Sequence, residues 1–505
     1  MTVGTEHDEP ASVRRGGHPA PRRLLLSRLW ARRDGLAWLE AGLAVAAFAV
    51  LCVVVLRVAP QLVEPDDAAY RASIVAMSEG HLLTLSQTQV EALAQSLGGP
   101  GGPVGPGGPG LIPQWVQLGD GQWISEKDPG YPFLAAPFQA LGIIRWAPLF
   151  YGALACSGLF AGARRWLGRF GGAAAVGLYC SSGAALLFAW RDYMPTFTDA
   201  SLIAAASGAL LWAVLAAEAS SRRRTWAGLA GFVMLEAATF ARYTNIVVLG
   251  CAAVAVVVAW RRRAARLPSP AVAWWLASIA VFGTGVAVFD DLVYGGPLTT
   301  GYRPGEIQFG LGAIAPNLRY MPAHLLRAMP MLVLGLASLG WIILRRVLRR
   351  RAAGEAGFAV RRDLWVGLAL AASWFAVWGL YSAYWWTANG FGSTLQFARF
   401  YVPALGAISL LGAWLVTRIP GRAWLAGLTT TAVIAAMFGL GVPSFHAMAA
   451  SRIGGAVKGC PGPQGASPVP AGTGCAGGGQ RHVTGGPGGY SGRHGGSSPR
   501  NQQSK

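Results

Sequence analysis

Charge is what this chain has least of. Asp, Glu, Lys and Arg make up 13% of its 505 residues, and the acids number 22 against 42 Lys and Arg. With 53% hydrophobic residues and a mean hydropathy of +0.41, the chain does not divide by length into several water-soluble domains. One membrane bundle accounts for it better. Cysteine is equally sparse. Of the six, Cys52, Cys156, Cys180 and Cys251 fall in apolar stretches as small hydrophobes, while Cys460 and Cys475 fall in the C-terminal tail, where a disulfide between them is an open alternative. No pair has metal-site spacing, which leaves out a spacing-defined zinc centre. No internal repeat is visible. A cleavable signal is also missing, because a basic arm of about three dozen residues precedes the first apolar stretch, and a retained anchor is expected.

What the chain has is apolar length, with arginine in every second gap. Spans are predicted over 41–62, 146–163, 171–190, 198–217, 225–241, 245–260, 271–293, 324–344, 364–386, 400–417 and 423–442, each about the length of a membrane-crossing helix. Well over half of the Lys and Arg residues sit in six clusters: Arg14 to Arg33, Arg164/Arg165/Arg169, Arg222 to Arg224, Arg261 to Arg266, Arg345 to Arg362, and Arg418/Arg422. Short cytoplasmic loops retain such residues, so the alternation places the N-terminus inside and the aromatic, acidic loops outside. The net charge of +20 is then topological, set beside anionic headgroups, and nucleic acid is not an expected partner. The fold class that follows is an all-α polytopic membrane protein with about eleven transmembrane helices.

The predicted organisation is a basic cytoplasmic arm (1–36), a membrane domain (37–445), and a Gly/Pro/Ser-rich extracytoplasmic tail (446–505) that lacks the apolar content to fold. The first outside loop, 63–145, is the longest. It opens with a predicted surface helix to Glu79, and Ser86-x-x-Gln89 has the form of a capping box for a second. A Gly/Pro tether follows over 98–110, then Trp115, Trp123, Tyr131 and Phe133 as interfacial aromatics.

Several residues there can carry chemistry. Asp66 and Asp67 are adjacent carboxylates at the mouth of the first span; a general base, a divalent-cation site and simple helix capping all fit them. Glu126-Lys127-Asp128-Pro129-Gly130-Tyr131-Pro132 is a polar turn whose ammonium suits a lipid phosphate or snorkels to the interface. Arg71, Arg191, Arg242, Arg303 and Arg399 are informative because the charge rule selects against arginine on that face; together they would hold an anionic donor. Arg191 has Asp192 beside it as a salt-bridge partner. Arg242 has Glu236, an acid inside a predicted span and so a site by default. His81 and His324 are lone histidines with no second ligand fixed by spacing, and Asp290-Asp291 reads as a cap or an ion-pair partner.

These features resemble the GT-C membrane glycosyltransferases, in pattern the bacterial aminoarabinose transferase and protein O-mannosyltransferase-like enzymes. Their Asp-Glu-x-Arg-Tyr is matched by Asp66-Asp67-Ala68-Ala69-Tyr70, with Arg71 one place later, and their Glu-Lys-Pro-Pro turn by Glu126-Lys127-Asp128-Pro129. Weaker echoes are Arg242-Tyr243-Thr244-Asn245, the Tyr294 to Tyr302 loop, and Gly390-Phe391-Gly392 with Arg399-Phe400-Tyr401. The resemblance spans about Gly35 to Met437 and implies a GT-C-like bundle. It also implies inverting sugar transfer from a polyprenyl-phosphate donor to a lipid, glycan or protein acceptor at the extracytoplasmic side of the plasma membrane. Under it, Asp67 with Asp66 acts as base or orients the acceptor. Lys127, Arg242, Arg399 and Arg71 hold the donor phosphate, and Glu126, Asp128, Tyr70, Tyr131, Arg191 and Tyr302 line the substrate. The resemblance fixes no cofactor and leaves a divalent cation open. The rival readings are a secondary transporter, which favours inverted repeats and midplane polar groups, and a non-catalytic envelope-assembly protein.

Overall fold

Backbone polar groups inside a bilayer must bond to one another, so long apolar segments of this kind become helices. The computed structural model describes residues 21–457, apart from 63–64, 82–83, 99–111, 113, 119, 263–266, 303–306, 349–353, 389–393 and 419–422. The expected tether over 98–110 and both tail cysteines thus fall almost wholly outside the described residues. Helix α1 (Pro21–Arg57) already begins within the basic arm. The first loop then supplies α2 (Pro65–Ser78), α3 (Gln87–Gly98), strands β1 (Trp115–Gln117) and β2 (Trp123–Ser125), and α4 (Gly130–Ala140).

This loop carries its own small core. The capping box forms as its spacing suggests: the Ser86 N–H donates to Gln89 Oε1 at 2.8 Å, and the Gln89 N–H to Ser86 Oγ at 3.4 Å. The two strands pair antiparallel with Val116 opposite Ile124, a short departure from an all-helical chain. Trp115 and Trp123, expected at the interface, are instead buried against Ala69, Ala72 and Ala76 of α2 and Val90 and Leu93 of α3. The alanine face of α2 leaves room for two indoles, and each indole N–H is used: Trp123 Nε1 donates to Gln87 Oε1 at 2.6 Å, and Trp115 Nε1 to the Ala69 carbonyl at 3.5 Å.

The bundle follows as α5 (Trp146–Leu167), α6 (Gly171–Cys180), α7 (Gly183–Trp190), α8 (Pro195–Leu215), α9 (Ser221–Ala241), α10 (Ile246–Arg261) and α11 (Ser269–Tyr294). It continues with α12 (Ile314–Ala328), α13 (Leu332–Leu348), α14 (Gly354–Ser382), α15 (Trp385–Ala388), α16 (Thr394–Tyr401), α17 (Leu405–Val416) and α18 (Ala423–Val457). Among the described residues, 8 helical segments are long and apolar enough to cross a membrane, and up to 10 if two bent pairs count as one span each. The expected count was eleven. Segment 171–190 is broken by 60° between α6 and α7, where Ser182 Oγ accepts the Ala185 N–H at 2.9 Å and restarts the helix. Segment 324–344 belongs to α12 and α13, which meet at 105° around Pro330, which has no N–H to continue the ladder. Segment 225–241 is α9, helical but outside that apolar set. Helix α18 runs to Val457, past the start of the expected tail.

Two observations make the protein a multi-pass membrane protein. Large apolar side chains along α11 have no protein cover, with Trp274 66%, Val281 73% and Leu292 79% exposed, an arrangement suited to lipid contact. The arginine clusters also gather at one end of the bundle. There Asp363 accepts from Arg418 at 2.9 Å and from Trp166 Nε1 at 3.1 Å, with Arg345 at 3.9 Å. Glu40 lies 3.8 Å from Arg164. The 19-residue segment Tyr243–Arg261 separates that end from the other by about 28 Å, close to a hydrocarbon core.

Helices α5 and α8 cross closely. Gly158 and Gly162 are four residues apart, and a Cβ on Gly208 would lie 1.9 Å from the Gly158 carbonyl oxygen, so only hydrogen fits there. Gly208→Val is expected to destabilise the purified protein by about 1–3 kcal/mol through overpacking, read as a lowered unfolding midpoint in detergent.

Candidate active site

The first turn of α2 sends its two carboxylates in different directions, since successive helical residues are about 100° apart. Asp67 turns inward. Its Oδ2 accepts from Arg191 Nη2 at 2.6 Å, with the side chains 1% and 0% exposed. Arg191 stands at the end of α7, so this pair ties the first loop to the bundle rather than lining a cavity. The expected Arg191–Asp192 bridge is not the one made; Asp192 faces Arg145 at 4.0 Å.

Asp66 turns outward into a cavity of about 260 Å³ at the bundle end remote from the arginine clusters. Lys127 Nζ lies 3.3 Å from Oδ1, and Arg399 Nη1 lies 3.0 Å from Oδ2. Burial works against the charged form of Asp66, but Arg399 and Lys127 outweigh it and hold the carboxyl well below the usual range. Gln114, whose backbone takes the left-handed conformation at φ 60°, lines the same cavity. Lys127 also sits 3.4 Å from Glu126 and donates to the Tyr302 hydroxyl at 3.2 Å. It is therefore a buried wall residue and not a snorkelling one. The loop bearing Tyr302 docks closely: a Cβ on Gly301 would meet the Glu126 Cα at 2.4 Å.

The opposite cation is Arg242, in extended backbone where α9 ends. Its Nε lies 3.2 Å from Asp199 Oδ2, its Nη2 donates to Thr196 Oγ1 at 2.7 Å, and its Nη1 to the Arg399 carbonyl at 3.0 Å. Asn245 Nδ2 donates to Asp199 Oδ2 at 3.2 Å and completes the set. The partner expected for Arg242, Glu236, instead accepts from Ser278 Oγ at 2.8 Å on α11. Asp199 is the residue sequence reading missed. It lies at the edge of the segment predicted over 198–217 and is fully buried; an acid within an apolar helix was the signal that could have found it.

Asp128 lines the same cavity. Burial raises its carboxyl to about 7, against the pull of Arg242 and Lys127. Tyr70, Tyr302, Tyr384, Trp386 and Phe309 supply aromatic walls, and the Arg399 guanidinium stacks over Phe400 at 4.7 Å and Trp386 at 5.0 Å.

Of the expected site residues, then, Asp66, Tyr70, Lys127, Asp128, Arg242, Tyr302 and Arg399 converge on one cavity. Five others support it or stand apart. Tyr131 is fully buried beside the edge of Tyr70, and its hydroxyl donates to the Asp192 carbonyl, so it is no sugar platform. Glu126 is buried behind Lys127. Arg71 lies over the Tyr193 ring at 5.9 Å and is not on the cavity wall. Arg191 holds Asp67. Arg303 and the Gly390-Phe391-Gly392 echo fall outside the described residues. Asp290 accepts from the Tyr243 hydroxyl at 3.0 Å, and His324 pairs with Thr394 at 2.8 Å. Among the described residues no three His, Cys, Asp or Glu side chains are grouped to hold a metal ion. The acid pair does not suit a divalent cation, since its members point apart and each already faces a cationic side chain.

No protein-family model and no curated protein matches the chain. Among solved structures, it is similar to ArnT from Cupriavidus metallidurans bound to undecaprenyl phosphate, at 17% identity and a TM-score of 0.45, over 80% of this chain and 64% of that one. It is also similar to the Archaeoglobus fulgidus oligosaccharyltransferase in the apo form, at 10% identity and a TM-score of 0.46, over 80% of this chain and 56% of that one. The chain thus spans under two thirds of the length of each.

Asp67→Asn leaves the Arg191 guanidinium buried beside a neutral amide, and removing one member of such a pair costs about 3–5 kcal/mol. The variant is expected to unfold at clearly lower denaturant than wild type. Asp67→Leu combined with Arg191→Met should lose much less than the two single changes summed, which a double-mutant cycle of unfolding free energies checks.

Proposed function

We propose that this protein is an integral-membrane glycosyltransferase of GT-C type that moves a sugar from a polyprenyl-phosphate donor to a hydroxyl of a lipid, glycan or protein acceptor. The observation that carries this reading is the meeting of Lys127, Arg242 and Arg399 around Asp66 and Asp128 in one aromatic-walled cavity. These residues come from the first loop, the α9–α10 break and α16, and the cavity opens at the end of the bundle opposite the arginine clusters. Guanidinium and ammonium donors on the cavity wall suit the oxygens of a phosphate monoanion. Aromatic faces suit sugar rings. By the positive-inside rule the arginine end is cytoplasmic, and the cavity then faces the outer leaflet of the plasma membrane, where a lipid-linked donor would present its phosphate.

In this mechanism Lys127, Arg242 and Arg399 bind the phosphate and stabilise the charge that develops on it as the anomeric bond breaks. Asp199 and Thr196 fix Arg242 from behind. Asp66, bracketed by Lys127 and Arg399, spaces those two cations, and Tyr70 and Tyr302 bound the sugar. An acceptor oxygen attacks the anomeric carbon from the face away from the phosphate, so the configuration inverts. A transporter would place its polar residues at mid-depth between repeated halves; here they gather at one bundle end.

Membranes holding the wild-type protein should transfer label from a polyprenyl-phosphate sugar to a product separable from the donor, and absence of any such transfer would refute the reading. Arg399→Gln removes one charge-assisted contact, and its affinity for polyprenyl phosphate should fall about 10–100-fold in equilibrium binding to the purified protein.

A further inference from the structure

We propose that Asp128 is the carboxylate that takes the proton from the acceptor hydroxyl, an assignment that rests on the glycosyl-transfer reading above. Three carboxylates stand close enough to be considered. Asp67 is enclosed with Arg191 at 2.6 Å and does not line the cavity. Asp66 lines it, but both of its oxygens face cations, Lys127 at 3.3 Å and Arg399 at 3.0 Å. A carboxylate so stabilised as an anion has little affinity for another proton. Asp128 lines the cavity and makes no ion pair among the described residues.

Its surroundings suit the task. Burial is the largest influence and raises the carboxyl to about 7; Arg242 from the end of α9 and Lys127 from its own turn pull the other way, and Asp290 of α11 pushes it up. Tyr70 of α2, Tyr243, Tyr302 of the docked loop and Tyr381 of α14 line the same cavity, and Tyr294 of α11 is close enough to interact with Asp128 electrostatically. General-base efficiency is greatest when the group titrates near the working pH, and among the wall carboxylates with a resolved direction Asp128 meets that condition and Asp66 does not. The two acids thereby divide the work: Asp66 sets the spacing of the phosphate-binding cations, and Asp128 accepts the proton. The acceptor oxygen bonds to the anomeric carbon as the bond from that carbon to the phosphate oxygen breaks. The electron pair leaves with the phosphate, and the acceptor proton passes to a carboxylate oxygen of Asp128.

The test uses the full chain in lipid nanodiscs with a labelled polyprenyl-phosphate sugar, and reads kcat from about pH 5 to about pH 9 alongside equilibrium binding of sugar-free polyprenyl phosphate. A base must be ionised, so wild-type kcat should be fully developed above about pH 8 and fall about tenfold per unit well below pH 7. Asp128→Asn should lower kcat about 10²–10⁴-fold and remove that acidic limb, with polyprenyl phosphate binding changed less than about threefold. Asp128→Glu should restore part of kcat with a displaced limb, and Asp66→Asn should weaken binding. The assignment is overturned if Asp128→Asn keeps more than about a third of wild-type kcat, or if its binding falls as much as its kcat. It is equally overturned if wild-type kcat stays flat down to about pH 5, the profile expected of Asp66 as base. A wild type that binds polyprenyl phosphate yet transfers no sugar would remove the transferase reading itself, and the role of Asp128 with it.

Discussion

The buried pair between Asp67 and Arg191 sets the register on which the rest of the site depends. Two charges with almost no solvent exposure are a liability unless they meet, so α2 cannot rotate about its axis without stranding one of them. With Asp67 fixed inward, the adjacent Asp66 must face the cavity, and Tyr70, one helical turn on from Asp66, faces the same way. The pair also links the first loop to the end of α7. A loop segment whose small core consists of two short helices and a hairpin is thereby held against the membrane bundle at a defined angle.

From that register the cavity is assembled by mutual dependence. Asp66 brackets two cations, the second cation offers its backbone carbonyl to Arg242, and Arg242 is in turn held by Asp199, Thr196 and the α9–α10 break. Each cation is thus fixed by a neighbour that does not need a ligand to be present. Such prior fixation lets a site stabilise developing charge without reorganising at the moment of reaction. The opposite end of the bundle uses the same chemistry for a different purpose. Asp363 and Glu40 neutralise part of a large arginine excess where helices end.

Much of the fold was legible because hydropathy acts through length and arginine through position. The capping box at Ser86 and the helix after Pro65 came directly from local patterns. The break at Pro330 and the restart at Ser182 were not read, although both residues carry local signals, because a continuous apolar run masked them. The hairpin went unread since three-residue strands have no period to detect. Trp115 and Trp123 were misplaced for a related reason: an indole beside a membrane segment looks interfacial until the alanine face that receives it is known.

At the site, the sequence by itself determined the ingredients: arginines set apart from the basic clusters, acids at the mouth of the first span, and a polar turn before the chain re-enters the bundle. Those follow from the energetic penalty of placing charge near lipid, which acts on each residue separately. Only the tertiary structure decided the pairings. It gave Asp67 to Arg191 and Asp66 to Lys127 and Arg399, exchanged Glu236 for Asp199 beside Arg242, and left Asp128 on the wall. Pairing is a matter of a few ångströms between residues up to 333 positions apart, and one-dimensional order carries no measure of that distance.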